Sequence, residues 1–186
     1  MDKLILVRVN LYPRIGSGHF MRMIALADIL SVRKYKINFI CYTETEELAR
    51  SLLNNRYSIE FVRNTNAVAD ANHIVKLAKK NNSKFIVLDG IDFTIEYDLI
   101  LKKANLKTLQ VVDLPNRQYL SDFVLNQNHC ANEFHHLIGP NTILLTGLKY
   151  LLIRSEFIVA KKLKITKRNK RHLLICLSGG SSSTNK

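Results

Sequence analysis

The chain has 186 residues and is 47% hydrophobic, which is enough for one domain with a packed core and the beginning of another. Its 28 Lys and Arg against 15 Asp and Glu give a formal charge of +13, which favours an anionic partner such as a nucleotide, a nucleic acid or a membrane surface. No apolar run approaches the roughly 20 residues that span a bilayer, and the first residues lack the pattern of a signal peptide, so we expect a cytoplasmic protein.

Strand-like and helix-like segments alternate along the first two thirds of the chain. Residues 4–7 form a continuous apolar run, typical of a strand buried on both faces, and apolar residues then recur at helical spacing from Phe20 to about Tyr35. The same criteria predict strands at residues 37–42, 58–62, 85–88 and 109–112, and helices at residues 43–54, 67–81 and 95–104. This alternation indicates a mainly parallel α/β sheet, in which ligands bind at the carboxyl ends of the strands.

The last third of the sequence is less regular. Residues 161–171 contain many Lys and Arg but no Asp or Glu, and we interpret them as an exposed basic linker. A strand-like run follows at residues 173–177, and then Gly179, Gly180 and four hydroxyl residues, which suit a phosphate or ribose cradle as well as a flexible tail. We therefore expect one domain at residues 1–160, the linker, and the first strand and glycine loop of a truncated second domain at residues 172–186.

Two features of the composition indicate which partners and which cellular compartment to expect. The three cysteines are odd in number and widely spaced, which gives no disulfide framework and fits a reducing compartment. The chain has no Trp, and its aromatic residues lie mostly inside strand-like runs. We therefore expect no nucleic-acid partner, whereas peripheral contact of a basic surface with a membrane stays open.

A glycine turn after the first strand carries the main functional candidate. Gly16 and Gly18 flank Ser17, and glycine permits backbone conformations and close approach that a side chain would prevent. Such a turn leaves the first N–H groups of the next helix free to bind an anion. His19 then has two interpretations: a packing or capping residue at a helix start, or a general base, since imidazole titrates near neutrality.

Polar residues near other predicted strand ends are further candidates. Arg22 lies one helical turn after His19, where it either meets a phosphate or is solvated. Asp113 and Arg117 either present a carboxylate and a guanidinium at the sheet edge or form a capped turn with a local ion pair, and we favour the turn. No metal site is expected, because the residues of zinc-ligand type have no recognisable spacing. These residues are His129, Cys130, His135 and His136.

Separate stretches of the chain agree with one family. They are, in chain order, Arg8 with residues 15–22, residues 26–27, 87–89, 111–113, 122–128 and 149–157, and residues 178–180 with Asn185. In these stretches the chain resembles the UDP-sugar hydrolases of pseudaminic acid biosynthesis and the related spore-coat and surface-polysaccharide proteins, which are similar to glycosyltransferases of the GT-B type. The matching stretches cover essentially the whole chain.

The resemblance implies a Rossmann-like N-terminal domain, with helices on both faces of its sheet, that faces a second such domain across a cleft. Full-length members hydrolyse UDP-2,4-diacetamido-2,4,6-trideoxy-β-L-altropyranose to UDP and the free amino sugar, with no metal or other cofactor. The implied partners are a UDP-linked amino sugar and a C-terminal domain. The family's histidine that matches His19 activates or positions the attacking water.

The resemblance and the strand-end pattern together imply the other site residues. Substrate-binding positions are expected at Asn10, Gly16, Ser17, Gly18, Arg22, Asp89, Asp113, Asn126, Asn128 and Tyr150. Nucleotide-binding positions are expected at Gly179, Gly180 and Asn185.

The chain departs from the family pattern at the sheet edge and in the second glycine loop. Asn10 replaces an aspartate, Gly90 and Ile91 replace a His-Tyr pair, and residues 181–183 lack the usual acidic residue. Three hypotheses therefore stay open. They are a UDP-sugar hydrolase, which this chain alone is expected not to complete; a GT-B glycosyltransferase that passes the sugar to an acceptor; and a non-catalytic fragment that binds an anion or a membrane surface.

Overall fold

A computed structural model describes residues 3–12, 16–63, 66–128 and 134–161. The strands are β1 (Leu4–Leu11), β2 (Lys36–Thr43), β3 (Ser58–Val62), β4 (Phe85–Asp89), β5 (Lys107–Val111), β6 (Phe123–Asn126) and β7 (Ile143–Thr146). The helices are α1 (Gly18–Val32), α2 (Glu46–Leu53), α3 (Ala67–Lys80), α4 (Ile95–Lys103) and α5 (Ser155–Lys161), with a 3₁₀ helix at Leu148–Tyr150.

The seven strands form one parallel sheet in the order β3-β2-β1-β4-β5-β6-β7. The chain winds outward from β1 through β2 to β3, and then crosses over to β4 and winds the other way. Strand order therefore reverses between β1 and β4, which is where parallel α/β sheets form a crevice for ligands. Asp89, the last residue of β4, is paired in register with Val9 of β1 and Val111 of β5, so it lies in this crevice.

Helices cover both faces of the sheet, which confirms the Rossmann-like α/β fold. On one face, Phe20 and Met23 of α1 and Leu53 of α2 pack with Val7 and Val9. On the other face, α3 and α4 contribute Ile74, Leu77, Tyr97 and Leu101, which pack with Leu6 and Leu88. Both faces of β1 are thus buried, which explains its continuous apolar run.

Three parts of the chain differ from the predictions or lie beyond them. The irregular stretch contains two short strands, β6 and β7, which extend the sheet by parallel pairing. Helix α2 begins at Glu46 rather than near Thr43, because Thr43 still pairs with Leu11 as the end of β2. The linker after Lys161 and the second domain lie outside the described residues.

None of the described helices has the length and apolar character needed to span a membrane.

Candidate active site

The turn between β1 and α1 brings His19 to the carboxyl edge of the sheet. Gly16 has a φ of +81°, a conformation that side chains disfavour, and its N–H donates to the Tyr12 carbonyl at 3.1 Å. Helix α1 then begins at Gly18, where an added Cβ would have no atom within 4 Å. Ser17 precedes the helix without capping it through its side chain. Among the described residues nothing therefore covers Gly18, and His19 lies in the first turn of α1.

His19 is paired with a fully buried carboxylate. Its Nδ1 lies 2.7 Å from Oδ1 of Asp89, whose side chain is 0% exposed, whereas the His19 side chain is 18% exposed. The two residues are 70 positions apart and meet because β4 lies beside β1 in the sheet. This is the arrangement in which a carboxylate fixes the orientation and tautomer of an imidazole.

Arg22 joins this pair to a second carboxylate. Its guanidinium donates to both oxygens of Asp89, from Nε at 2.5 Å and Nη2 at 2.7 Å, and to both oxygens of Asp113, from Nη1 at 2.6 Å and Nη2 at 2.9 Å. Burial lowers the pKa of Arg22, but the hydrogen bonds to the two aspartates outweigh it, so the pKa is raised above its usual value. The solvated alternative for Arg22 is wrong, because its side chain is 11% exposed and donates to two carboxylates. Contact of Arg22 with a substrate stays a prediction.

The hydrogen bonds of Arg22 also determine which nitrogen of His19 carries the proton. Nη2 lies 2.9 Å from His19 Nδ1, but its two hydrogens are already directed to Asp89 and Asp113. The bond between His19 and Asp89 therefore requires a proton on Nδ1, since a carboxylate only accepts. Nε2 is left as an acceptor, and among the described residues no hydrogen bond occupies it. A base positioned in this way can take a proton from a bound molecule.

A cavity of about 220 Å³ lies beside this group, at the ends of β4 and β5. Its lining combines His19, Arg22 and Asp113 with apolar side chains. The lining residues also include Gly90, Ile91, Phe93, Gln110, Val111, Val112, Leu114, Asn116, Arg117 and Tyr119. Concave sites with a few convergent polar groups are typical of ligand binding.

Arg117 lines the cavity but does not pair with Asp113, so the favoured local ion pair is wrong. Its guanidinium donates to buried Asp98 of α4 at 2.8 Å and to the Gln110 side chain at 2.8 Å. Asp98 is 3% exposed, and a buried carboxylate needs a charged partner more than a half-exposed one does. Asp113 finds its partner in Arg22. Both Asp113 and Arg117 nevertheless reach the sheet edge.

Asn10 belongs to a second polar cluster, which also borders His19. Buried Arg8 pairs with Asp70 at 2.9 Å and donates from Nη1 to Asn10 Oδ1 at 2.5 Å. Asn10 then donates from Nδ2 to Asp92 at 2.7 Å, and the Tyr12 hydroxyl donates to the same carboxylate oxygen. A cavity of about 10 Å³ lies among Asn10, Tyr12, His19, Gly90 and Ile91.

Asn126 and Asn128 hold the loop that carries Asp113. Asn126 is fully buried, and its Nδ2 donates to the Val112 carbonyl at 3.0 Å, while its Oδ1 accepts the Asn128 N–H at 2.9 Å. Asn128 donates from Nδ2 to the Asp113 carbonyl at 3.1 Å. Tyr150 is half-buried beneath Lys149 and is not part of the cavity lining. Contact of these three residues with a substrate stays a prediction.

Some predicted residues cannot be placed in this site. Gly179, Gly180 and Asn185 lie outside the described residues, as do His129 and Cys130. Within the described part of the chain, no group of three or more His, Cys, Asp or Glu is arranged to hold a metal ion, and His135 and His136 are exposed. The sequence interpretation also missed Tyr12, whose only available signal was its position directly after β1.

Several known proteins are similar to this chain in sequence or in fold. No protein-family model matches the chain. An uncharacterised protein of Methanocaldococcus jannaschii, MJ1062, is 29% identical in an alignment of 179 positions that covers 90% of this chain and 35% of that protein. MurG of Acinetobacter baumannii superposes with a TM-score of 0.57 at 12% identity, over 78% of this chain and 45% of the MurG chain. A glycosyltransferase of Rickettsia africae has a TM-score of 0.48 at 14% identity, over 68% of this chain and 37% of its own.

The likeness to MurG shows that the described residues have the fold of one half of a GT-B protein, in agreement with the predicted N-terminal half. The chain spans only 35% of MJ1062 and 45% of the MurG chain.

Proposed function

We propose that this chain carries the water-activating part of a UDP-sugar hydrolase, with His19 as the general base. The observation that carries the proposal is the 2.7 Å contact between His19 Nδ1 and the buried carboxylate of Asp89. Because the carboxylate can only accept, the proton of this bond is on Nδ1, and Nε2 is free to accept a proton from water. General-base assistance of this kind contributes roughly 10²- to 10⁴-fold to rate.

The reaction transfers one proton and exchanges one bond. Water attacks the anomeric carbon of the sugar while His19 Nε2 takes a proton from it, so a new C–O bond forms to the water oxygen. The bond between the anomeric carbon and the diphosphate oxygen breaks, and its electron pair leaves with UDP. The products are UDP and the free sugar, and imidazolium returns its proton to solvent.

The charges around His19 support this step. Asp89 and Asp113 carry two negative charges and Arg22 one positive charge, so the group has a formal charge of −1 while His19 is neutral. Protonating His19 brings the group to zero. A developing imidazolium is therefore stabilised by Asp89, and the hydrogen bonds from Arg22 orient that buried carboxylate.

The nucleotide is expected to bind chiefly outside the described residues. Arg22 and Arg117, which reach the cavity of about 220 Å³, are both committed to aspartates. A diphosphate needs uncommitted donors to stabilise its charge as it leaves. By the family resemblance, Gly179, Gly180 and Asn185 supply part of these donors and a second domain supplies the rest.

A glycosyltransferase is the second candidate, favoured by the likeness to the MurG fold and by the cavity beside His19. An acceptor hydroxyl placed in that cavity would lose its proton to His19 as water does in the hydrolase. Product analysis with and without acceptor extracts separates the two functions. Sugar that appears only as the free form in both reactions supports hydrolysis, and sugar joined to an acceptor supports transfer.

The test uses the natural reading frame that contains this chain and a screen of UDP-linked diacetamido sugars. UDP release is expected from the wild type, and His19→Ala should reduce it by at least roughly 10²-fold while the thermal unfolding midpoint stays close to that of the wild type. His73→Ala is the matched control, since His73 is a half-exposed histidine of α3 that lies 3.4 Å from Glu60 and outside the candidate site. Equal UDP release by folded His19→Ala and His73→Ala proteins would exclude the role of His19. No UDP release by the wild type on any donor would favour the non-catalytic hypothesis.

A further inference from the structure

We propose that Tyr12, held by Asp92 and Asn10, forms with His19 the binding site of the nucleophilic water. The site is the small cavity of about 10 Å³ among Asn10, Tyr12, His19, Gly90 and Ile91. This inference rests on the proposed function and adds to it the residue that orients the water opposite the base.

A chain of hydrogen bonds from the core fixes this arrangement. Arg8 is held on one side by Asp70, with which it shares a buried ion pair, and on the other it donates to Asn10 Oδ1. Since Oδ1 accepts from Arg8, the amide nitrogen of Asn10 must face Asp92, to which it donates at 2.7 Å. The orientation of the Asn10 amide is thus set by a guanidinium that is 4% exposed, and Asp92 is positioned by that amide.

When each hydrogen of this cluster is assigned to its bond, one lone pair of the Tyr12 oxygen is left to accept a further hydrogen bond. Tyr12 has a single hydroxyl proton, which it donates to Asp92. Asn10 Nδ2 reaches the same hydroxyl oxygen at 3.3 Å, which uses one of its lone pairs. The remaining lone pair can only accept. Burial and the hydrogen bond to Asp92 raise the pKa of Tyr12, so the phenol stays protonated across the physiological range.

Two acceptors suit a water molecule that must act as a nucleophile. Water can donate one hydrogen to His19 Nε2 and the other to the Tyr12 oxygen, which leaves its own lone pairs free for attack. A volume of about 10 Å³ is close to that of a single water position. Gly90 lets Asn10 lie close to the backbone, because a Cβ at this position would lie 3.1 Å from Asn10 Nδ2 and 3.2 Å from the Phe93 ring.

The first arm of the experiment locates the water without reference to activity. High-resolution crystal structures of wild type and Tyr12→Phe are compared at this cavity. We expect an ordered water within hydrogen-bond distance of both His19 Nε2 and the Tyr12 oxygen in the wild type, and its loss or displacement in Tyr12→Phe. A wild-type structure in which no water bridges these two atoms overturns the proposal.

The second arm measures turnover by the natural reading frame. Tyr12→Phe keeps the ring that packs 5.5 Å from Tyr42 but removes the acceptor, so kcat should fall by roughly 10- to 100-fold with little change in KM for the UDP-sugar. Tyr42→Phe is the matched control, since it removes a neighbouring phenol that does not line the cavity. Equal kcat values for the two variants overturn the role of Tyr12. If the wild type releases no UDP, the proposed function fails, and the diffraction arm still decides whether the water site exists.

Discussion

Replacing Asp89 by Asn is expected to reverse the tautomer of His19 and thereby remove its basic nitrogen. Asp89 accepts from His19 Nδ1 and twice from Arg22. Asparagine keeps the size of the side chain but offers only one oxygen. The shorter of the two bonds from Arg22 runs from Nε to Oδ2 at 2.5 Å, and we expect the single oxygen to stay at that position, away from His19. The amide NH₂ then faces His19, whose Nδ1 must accept, so the proton moves to Nε2.

The size of the effect follows from the bond that is lost. A hydrogen bond to a buried charged group contributes about 1.5–3 kcal/mol. At about 1.4 kcal/mol per factor of ten, it favours the Nδ1-protonated tautomer by roughly 10- to 150-fold in the wild type. Loss of the correct tautomer and of imidazolium stabilisation together lowers kcat by as much as about 10⁴-fold in Ser-His-Asp enzymes. We therefore expect a loss of roughly 10³- to 10⁴-fold in UDP release.

Long-range ¹H–¹⁵N NMR of the histidine rings measures the tautomer directly, and UDP release measures the consequence. Asp98→Asn is a suitable control, because Asp98 is a second buried aspartate paired with an arginine and does not contact His19. Both variants should be destabilised to a similar extent in urea unfolding, but only Asp89→Asn should change the His19 ring signals. A proton on Nε2 of His19 in the wild type, or an unchanged tautomer in Asp89→Asn, would refute the assignment of His19 as a base.

Two further predictions concern the core. Asp70→Asn should lower the free energy of unfolding by about 3 kcal/mol or more in urea titrations, because it leaves Arg8 buried without its charged partner. Asp28→Asn is the control, because it breaks the more exposed pair with Arg56. It should lower the free energy of unfolding by about 1 kcal/mol or less. Burial raises the pKa of Cys41 to about 12 from 9.0, so the contribution of the neutral thiol to stability is lost as the pH rises from 9 to 12. At pH 8 the thiol of the folded protein should resist alkylation. Peptide mass spectrometry that showed equal labelling of Cys41 in buffer and in urea would contradict this.

The fold could be predicted because its signals are local. Residues 4–7 and 85–88 are continuous apolar runs, and the apolar spacing after Phe20 reports a helix that packs on one side, so both the elements and their parallel arrangement follow from short stretches. Strands β6 and β7 were not predicted, since each has four residues and is defined by its neighbour in the sheet rather than by its own pattern.

The clustering of His19, Asp89 and Asp113 was also predictable, but the hydrogen bonds among them were not. The strand-end rule brings His19, Asp89 and Asp113 to one edge of the sheet. It does not show that Arg22 bridges two carboxylates that lie 67 and 91 positions further along the chain. Such pairing depends on which buried carboxylate each arginine can reach, and that is a property of the packed structure.

Asn10 shows what the sequence alone does not reveal about this edge of the sheet. The resembled family has an aspartate where this chain has Asn10, so the sequence indicates a missing carboxylate. In the structure its amide nitrogen lies 2.7 Å from the carboxylate of Asp92, so a negative charge is present one hydrogen bond further out. An aspartate at position 10 would repel Asp92, and the amide removes that conflict.

The parallel sheet also sets the time at which this site can form during synthesis. Every strand pairing in it is parallel and joins segments separated by a crossover, and Arg22 must wait for Asp113, 91 positions later. At roughly 5–20 residues per second, that delay is about 5–20 s for a nascent chain. During this interval Phe20 and Met23 can already pack α1 against β1, but the guanidinium of Arg22 lacks its second carboxylate. The His19 tautomer is therefore a late marker of folding, and it reports the closure of β5 onto β4 rather than the formation of any helix.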